Sequence, residues 1–169
     1  MSSYLWRIEP PPADRKLPEA SSKDREAASP LAKPVQVLLV SPDDADREAL
    51  SQALEGTRWQ VHHAHSCVEA IPMMESNRFP VIIRDHDCCD LGCVHAIRCR
   101  QVGSYPAPVI VAARASDFRL WEDVIDRGGL EILPKPFEPA SVRKILEFAY
   151  KHWLAGDFRR RWERFDYPE

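Results

Sequence analysis

VQVLLVSPDDADREALSQALEG, residues 35–56, changes character after its sixth position, and that change decides the fold class. Val35 to Val40 form an apolar, largely β-branched run, the pattern of a strand covered on both faces in a parallel sheet. The residues that follow read as a helix: Ser41 suits the N-cap, Pro42 the first helical position, and Asp43 and Asp44 the positive end of the helix dipole. Gly56 supplies a stop, and Ala49, Leu50, Ala53 and Leu54 give the helix an apolar stripe.

The alternation continues along the chain. Trp59, Val61 and His63 alternate with Gln60 and His62 in a second strand, and Ser66 with Glu69 predicts a capping box opening a second helix. Pro72 falls inside that helix and is expected to kink or shorten it. A third strand is read at 80–85, a helix near 94–101, and a fourth strand at 108–113. Residues 120–127 read as a helix stopped by Gly128 and Gly129, residues 131–133 as a short fifth strand, and 139–153 as the last long helix. Five strands alternating with five helices in about 120 residues imply a flavodoxin-like (βα)5 fold. This is a doubly wound parallel five-stranded sheet with its functional groups at the carboxyl ends of the strands.

Composition narrows the classes. The 169 residues are 44% hydrophobic and 29% charged, a globular balance, and a net charge of -3 provides no basic field for nucleic acid. No run of 18 apolar residues suggests a membrane span, and MSSYLWRIEPPP lacks the features of a signal peptide, so a cytoplasmic location is expected. Residues 1–34 hold Pro10, Pro11, Pro12, Pro18, Pro30 and Pro34 among charges and read as a disordered arm, with 35–153 as the folded domain and 154–169 as a tail. In that tail Phe158, Trp162 and Phe165 make an i, i+4, i+7 stripe flanked by Arg159, Arg160, Arg161 and Arg164, an amphipathic cationic helix. Packing back on the fold, docking to a protein, and contact with an acidic membrane or nucleic acid all remain open for it.

VLLVSPDDADREALSQAL (37–54), WQVHHAHSCVEAI (59–71), FPVIIRDHDCCD (79–90), PAPVIVAA (106–113) and RGGLEILPKPF (127–137) together resemble the receiver domain of bacterial two-component response regulators. The resemblance covers residues 35–153. It implies that Asp85, at the end of strand three, is the phospho-acceptor position, that Lys135 is the pocket lysine, and that the bond to Pro136 is cis. It also implies departures. Ser41 and Pro42 stand where receivers hold Mg²⁺ with an acidic pair, and Asp43, one residue later, is expected to point away. Ala113 replaces a serine or threonine that grips a phosphoryl oxygen, and Ile132 replaces the switching aromatic. The D-x-D after strand three and the RLWEDV of 119–124 resemble divergent stand-alone receivers.

The resulting expectation is a pseudo-receiver signalling module with no catalytic residues and no cofactor, acting through protein contact. Asp85 and Lys135 then form a structural ion pair. One alternative is a genuine phospho-acceptor using Asp85 and Mg²⁺. A second is a Cys/His metal or thiol sensor drawn from His86, Cys88, Cys89, Cys93, His95 and Cys99. No C-x-x-C pair occurs there, and the five cysteines, an odd number that includes Cys67, read as reduced thiols, with Cys88 and Cys89 as small hydrophobes. His63 and His65 can share a side of strand two while His62 opposes them, and all three are expected to be partly exposed and to form no metal triad. A partner, or a second copy, is expected on the face of the fourth helix, fifth strand and fifth helix, enlarged by Trp121, Phe158, Trp162 and Phe165. No separate DNA-binding domain is expected in the sequence outside 35–153.

Overall fold

The computed structural model describes residues 33–88, 107–114 and 118–156. The helix read near 94–101, the N-terminal arm and the tail stripe of Phe158, Trp162 and Phe165 lie outside these residues, as do Cys89, Cys93, His95 and Cys99.

Strands β1 (Val35–Val40), β2 (Trp59–Ala64), β3 (Val81–Asp85), β4 (Val109–Ala113) and β5 (Glu131–Pro134) form one parallel sheet in the order β2-β1-β3-β4-β5. Four helices are described among them: α1 (Asp44–Ala53), α2 (Cys67–Ser76), α3 (Phe118–Asp126) and α4 (Pro139–Ala155), with a 3-10 turn at His86–Cys88. The flavodoxin-like doubly wound arrangement expected from the alternation is the arrangement found.

Strand alternation sorts the core into two layers. Val37, Leu39, Ile83, Ile110 and Leu133 pack with Leu50 and Ala53 of α1 and Val142, Leu146 and Ala149 of α4. On the opposite face Leu38, Val40, Ile82, Val109, Val111 and Ile132 pack with Ala70 and Met74 of α2 and Val124 of α3. Both faces are covered, which is why β1, β3 and β4 tolerate runs with almost no polar residue. The first layer is fastened at its edge: Glu147 accepts both hydrogen bonds from Arg58 Nη2, at 3.1 and 2.9 Å, and Trp59 meets Tyr150 edge-on at 5.8 Å.

Helix ends depart in detail from the sequence reading. Asp43, not Ser41, caps α1, its Oδ1 accepting from the Ala45 N–H at 2.9 Å, because the Ser41 hydroxyl is buried and committed elsewhere. The helix ends at Ala53, and Gly56 takes a left-handed φ of 71° in the turn beyond. Ser66 caps α2, but Glu69 returns to the His65 N–H at 2.8 Å rather than to the cap residue itself. Pro72 does not end α2, which continues to Ser76.

Two glycines carry the chain from α3 into β5. Gly128 has φ 84°, and the Gly129 N–H donates to Val124 O at 2.7 Å. A Cβ on Gly129 falls 2.5 Å from Val124 Cγ1 and 2.9 Å from Val124 O. Val124 is fully buried and has little room to yield. Gly129→Ala is therefore expected to lower stability by about 1–3 kcal/mol through overpacking, read as a lower urea midpoint at unchanged slope.

Candidate functional site

The carboxyl ends of β1, β3 and β5 converge on one small polar cluster. Asp85 closes β3, Ser41 follows β1, and Lys135 follows β5, its backbone N–H donating to Ala113 O at the end of β4 at 2.8 Å. The fourth member is Asp46, from the first turn of α1. Ser41, Asp46 and Asp85 are all buried.

Lys135 Nζ donates to Asp85 Oδ2 and to Asp46 Oδ2, each at 2.6 Å. The Ser41 hydroxyl lies 2.6 Å from Asp46 Oδ2 and 3.2 Å from Asp85 Oδ2. Having one proton, it donates chiefly to Asp46. Its oxygen also accepts the Asp43 N–H at 3.2 Å, and Asp85 Oδ1 accepts the Asp87 N–H at 3.1 Å. Burial pushes the Asp85 carboxyl up, but the Lys135 and Asp87 hydrogen bonds more than offset this and hold it below the ordinary carboxylate value. Burial also pulls Lys135 down, while hydrogen bonds to Asp46 and Asp85 raise it overall. The cis Lys135–Pro136 bond lies directly beside this network.

A second polar group sits behind the first. His63 Nε2 is 2.8 Å from Ser41 O, and His65 lies beside it with ring centroids 4.4 Å apart. The His65 ring nitrogens are 3.1 Å from Asp44 Oδ1 and 3.2 Å from Glu69 Oε2, and hydrogen bonds to Asp44 and then Glu69 hold its pKa above the ordinary imidazole value.

No family model matches the chain. In sequence, it is 31% identical over 105 residues to the response regulator MprA of Mycobacterium bovis BCG, a match spanning 61% of this chain and 45% of that protein. MprA of Mycobacterium sp. KMS is 30% identical over 106 residues, spanning 62% and 45%. The folded unit is similar to the receiver domains of response regulators, in sequence and in fold. The chain spans less than half the length of these curated relatives. In fold, the chemotaxis response regulator CheY4 of Vibrio cholerae superposes with a TM-score of 0.62 at 23% identity, covering 69% of this chain and 99% of that one. The signal receiver domain of an HD domain-containing protein from Pseudomonas fluorescens gives 0.63 at 18% identity, covering 78% and 97%. The comparisons lend no support to a Cys/His metal or thiol sensor.

Of the residues singled out in the sequence, Asp85, Lys135 and Ser41 meet in this polar cluster. Pro42 and Asp43 are exposed, Ala113 and Ile132 are buried in the second core layer, and Trp121 is half-buried against that layer. Cys88 is half-buried, with Sγ 3.9 Å from His65 O. One residue of the cluster escapes the sequence reading. Asp46 was passed over, although it lies at i−4 from Leu50 and i−7 from Ala53 and so extends the buried stripe of α1: a carboxylate on an apolar stripe is the signal that marks it. His62 and His63 are partly buried and His65 is exposed, as expected, with the His63 side chain itself retaining only 7% of its accessibility beside the β1–α1 turn. Among the described residues, no helix is long and apolar enough to cross a membrane.

The ion cluster sets a pH window. Asp85, depressed in the fold, contributes stability above the unfolded carboxyl value of 3.8 that is lost as pH falls through the folded one. Lys135, raised in the fold, contributes stability below 10.5 that is lost as pH rises through its folded value. Lys135→Met leaves two buried carboxylates without their cation and is expected to cost about 3–5 kcal/mol at neutral pH. The difference from wild type should shrink in acid as Asp85 protonates, which urea titrations across a pH series would measure.

Proposed function

We propose that this receiver domain is a two-component signalling module that acts by protein contact, its phosphorylation pocket neutralised from within. The supporting observation is Lys135, held at 2.6 Å from both Asp85 and Asp46. Phosphoryl transfer to a carboxylate brings two anions together, and Mg²⁺ ordinarily neutralises them with a near-octahedral shell of oxygens. The residues present do not fit that ion. Pro42 has no donor atom, Asp43 is exposed and spent on capping α1, and Asp85 Oδ2 already receives the Lys135 ammonium. Ala113 offers a methyl group where a phosphoryl oxygen would need a hydroxyl, and Ile132 is packed in the core.

On this reading the domain is a binding module rather than an enzyme, and Asp85 with Lys135 is a structural pair. Its contact face is formed by α3, β5 and α4, where α4 carries the exposed Phe148 and Leu154. Large apolar side chains at a surface of this kind are the usual anchors of a protein interface.

Acetyl phosphate with Mg²⁺ tests the reading. Intact-protein mass spectrometry is expected to find no phosphoryl adduct, and Asp85→Asn to leave partner binding unchanged where the protein remains folded. An adduct that disappears in Asp85→Asn would instead establish the genuine phospho-acceptor.

A further inference from the structure

His63, His65 and Asp44 present a donor set that the receiver pocket does not use. One ligand atom from each, two imidazole nitrogens and a carboxylate oxygen, lies within 4.8 Å of the others. The chemistry of the acceptors around them is the informative part. His63 Nε2 faces the carbonyl oxygen of Ser41 at 2.8 Å, so that nitrogen carries the proton and donates. In the neutral ring Nδ1 then holds a lone pair, and it faces Asp44 Oδ1 at 3.7 Å. Such a facing pair is satisfied by a proton or by a metal ion between the two atoms. His65 has a carboxylate at each ring nitrogen, with Nε2 3.1 Å from the same Asp44 oxygen and Nδ1 3.2 Å from Glu69 Oε2.

We propose that Asp44 Oδ1, His63 Nδ1 and His65 Nε2 bind a divalent transition-metal ion of the zinc class, with a fourth position open to water. Each imidazole already has its second nitrogen held by an acceptor, the Ser41 carbonyl for His63 and the Glu69 carboxylate for His65, which is the outer support that metal-ligating histidines use. Ligand atoms about 2.0–2.1 Å from a tetrahedral zinc stand roughly 3.3 Å apart, and the distances of 3.1 and 3.7 Å to Asp44 bracket that spacing. Asp44 and His65 are exposed, so an ion can enter from solvent, and the Arg47 guanidinium, 3.9 Å from the same Asp44 oxygen, is itself half-exposed. The bound ion fastens the first turn of α1 to the exit of β2. This set shares no residue with the cysteine-rich segment after β3, and it does not depend on whether Asp85 accepts a phosphoryl group.

The test uses the full chain, stripped of metal and kept in a non-thiol reductant. Equilibrium dialysis against Zn²⁺ is expected to give one ion per chain at micromolar metal, and Co²⁺ to give visible d–d bands without thiolate charge transfer. His65→Ala and Asp44→Asn alter exposed side chains and should leave circular dichroism unchanged while abolishing both signals. Glu69→Gln should weaken binding by roughly ten- to a hundredfold. Absence of binding at micromolar metal would overturn the proposal. So would binding that survives both substitutions, or Co²⁺ spectra with thiolate charge transfer, which would assign the ion to cysteines.

Discussion

The Lys135 ammonium, set between the carboxylates of Asp85 and Asp46, is the interaction on which the carboxyl edge of the sheet depends. It joins three elements that no single run of backbone hydrogen bonds connects: the end of β3, the first turn of α1, and the loop after β5. Two carboxylates withdrawn from water without a cation carry a large desolvation penalty, and the ammonium offsets it because both contacts are short, Ser41 adds a hydrogen bond to the same Asp46 oxygen, and the Asp87 N–H satisfies the other Asp85 oxygen. The network specifies the site more than it stabilises the fold, since an apolar cluster of the same volume avoids the desolvation altogether.

That arrangement accounts for the local departures at the start of α1. The Ser41 hydroxyl gives its proton to the buried carboxylates and accepts the Asp43 N–H, and the cap of α1 falls two residues on, at Asp43. The shift places Asp46 one turn inside the helix with its side chain facing inward, at the head of the stripe that continues through Leu50 and Ala53. It also turns Asp44 outward toward β2, where it meets His63 and His65. One capping choice thus separates two carboxylates two residues apart, Asp46 toward the lysine and Asp44 toward the imidazoles. The two clusters touch through Ser41, whose hydroxyl belongs to one and whose carbonyl belongs to the other.

The strands, their parallel pairing and the two-layer core were legible in the sequence because each depends on local pattern. Val35–Val40, Val81–Asp85 and Val109–Ala113 are apolar runs bounded by turn residues, and a short apolar run followed by an amphipathic stretch has few ways to bury itself other than a βα unit. The alternation then requires crossovers of one hand, and the strand order follows within a small set. Asp85 and Lys135 were legible as well, because each stands at a strand end within a recognisable run of neighbours.

Tertiary structure alone decided what those two residues touch. Asp46 is 39 residues from Asp85 and 89 from Lys135 along the chain, and no local pattern distinguishes a carboxylate aimed at a lysine from one aimed at water. The direction follows from how α1 is rotated against the sheet, which its cap and its packing on α4 set together. The same holds for His63: strand alternation gives it a side, but its burial depends on the β1–α1 turn that covers it. Local sequence determines which elements form and which way each residue faces along them, because hydrogen bonding and hydrophobic periodicity act over a few residues. The electrostatic partners were decided in three dimensions, because a buried charge is satisfied by whatever donor the packed fold brings within reach.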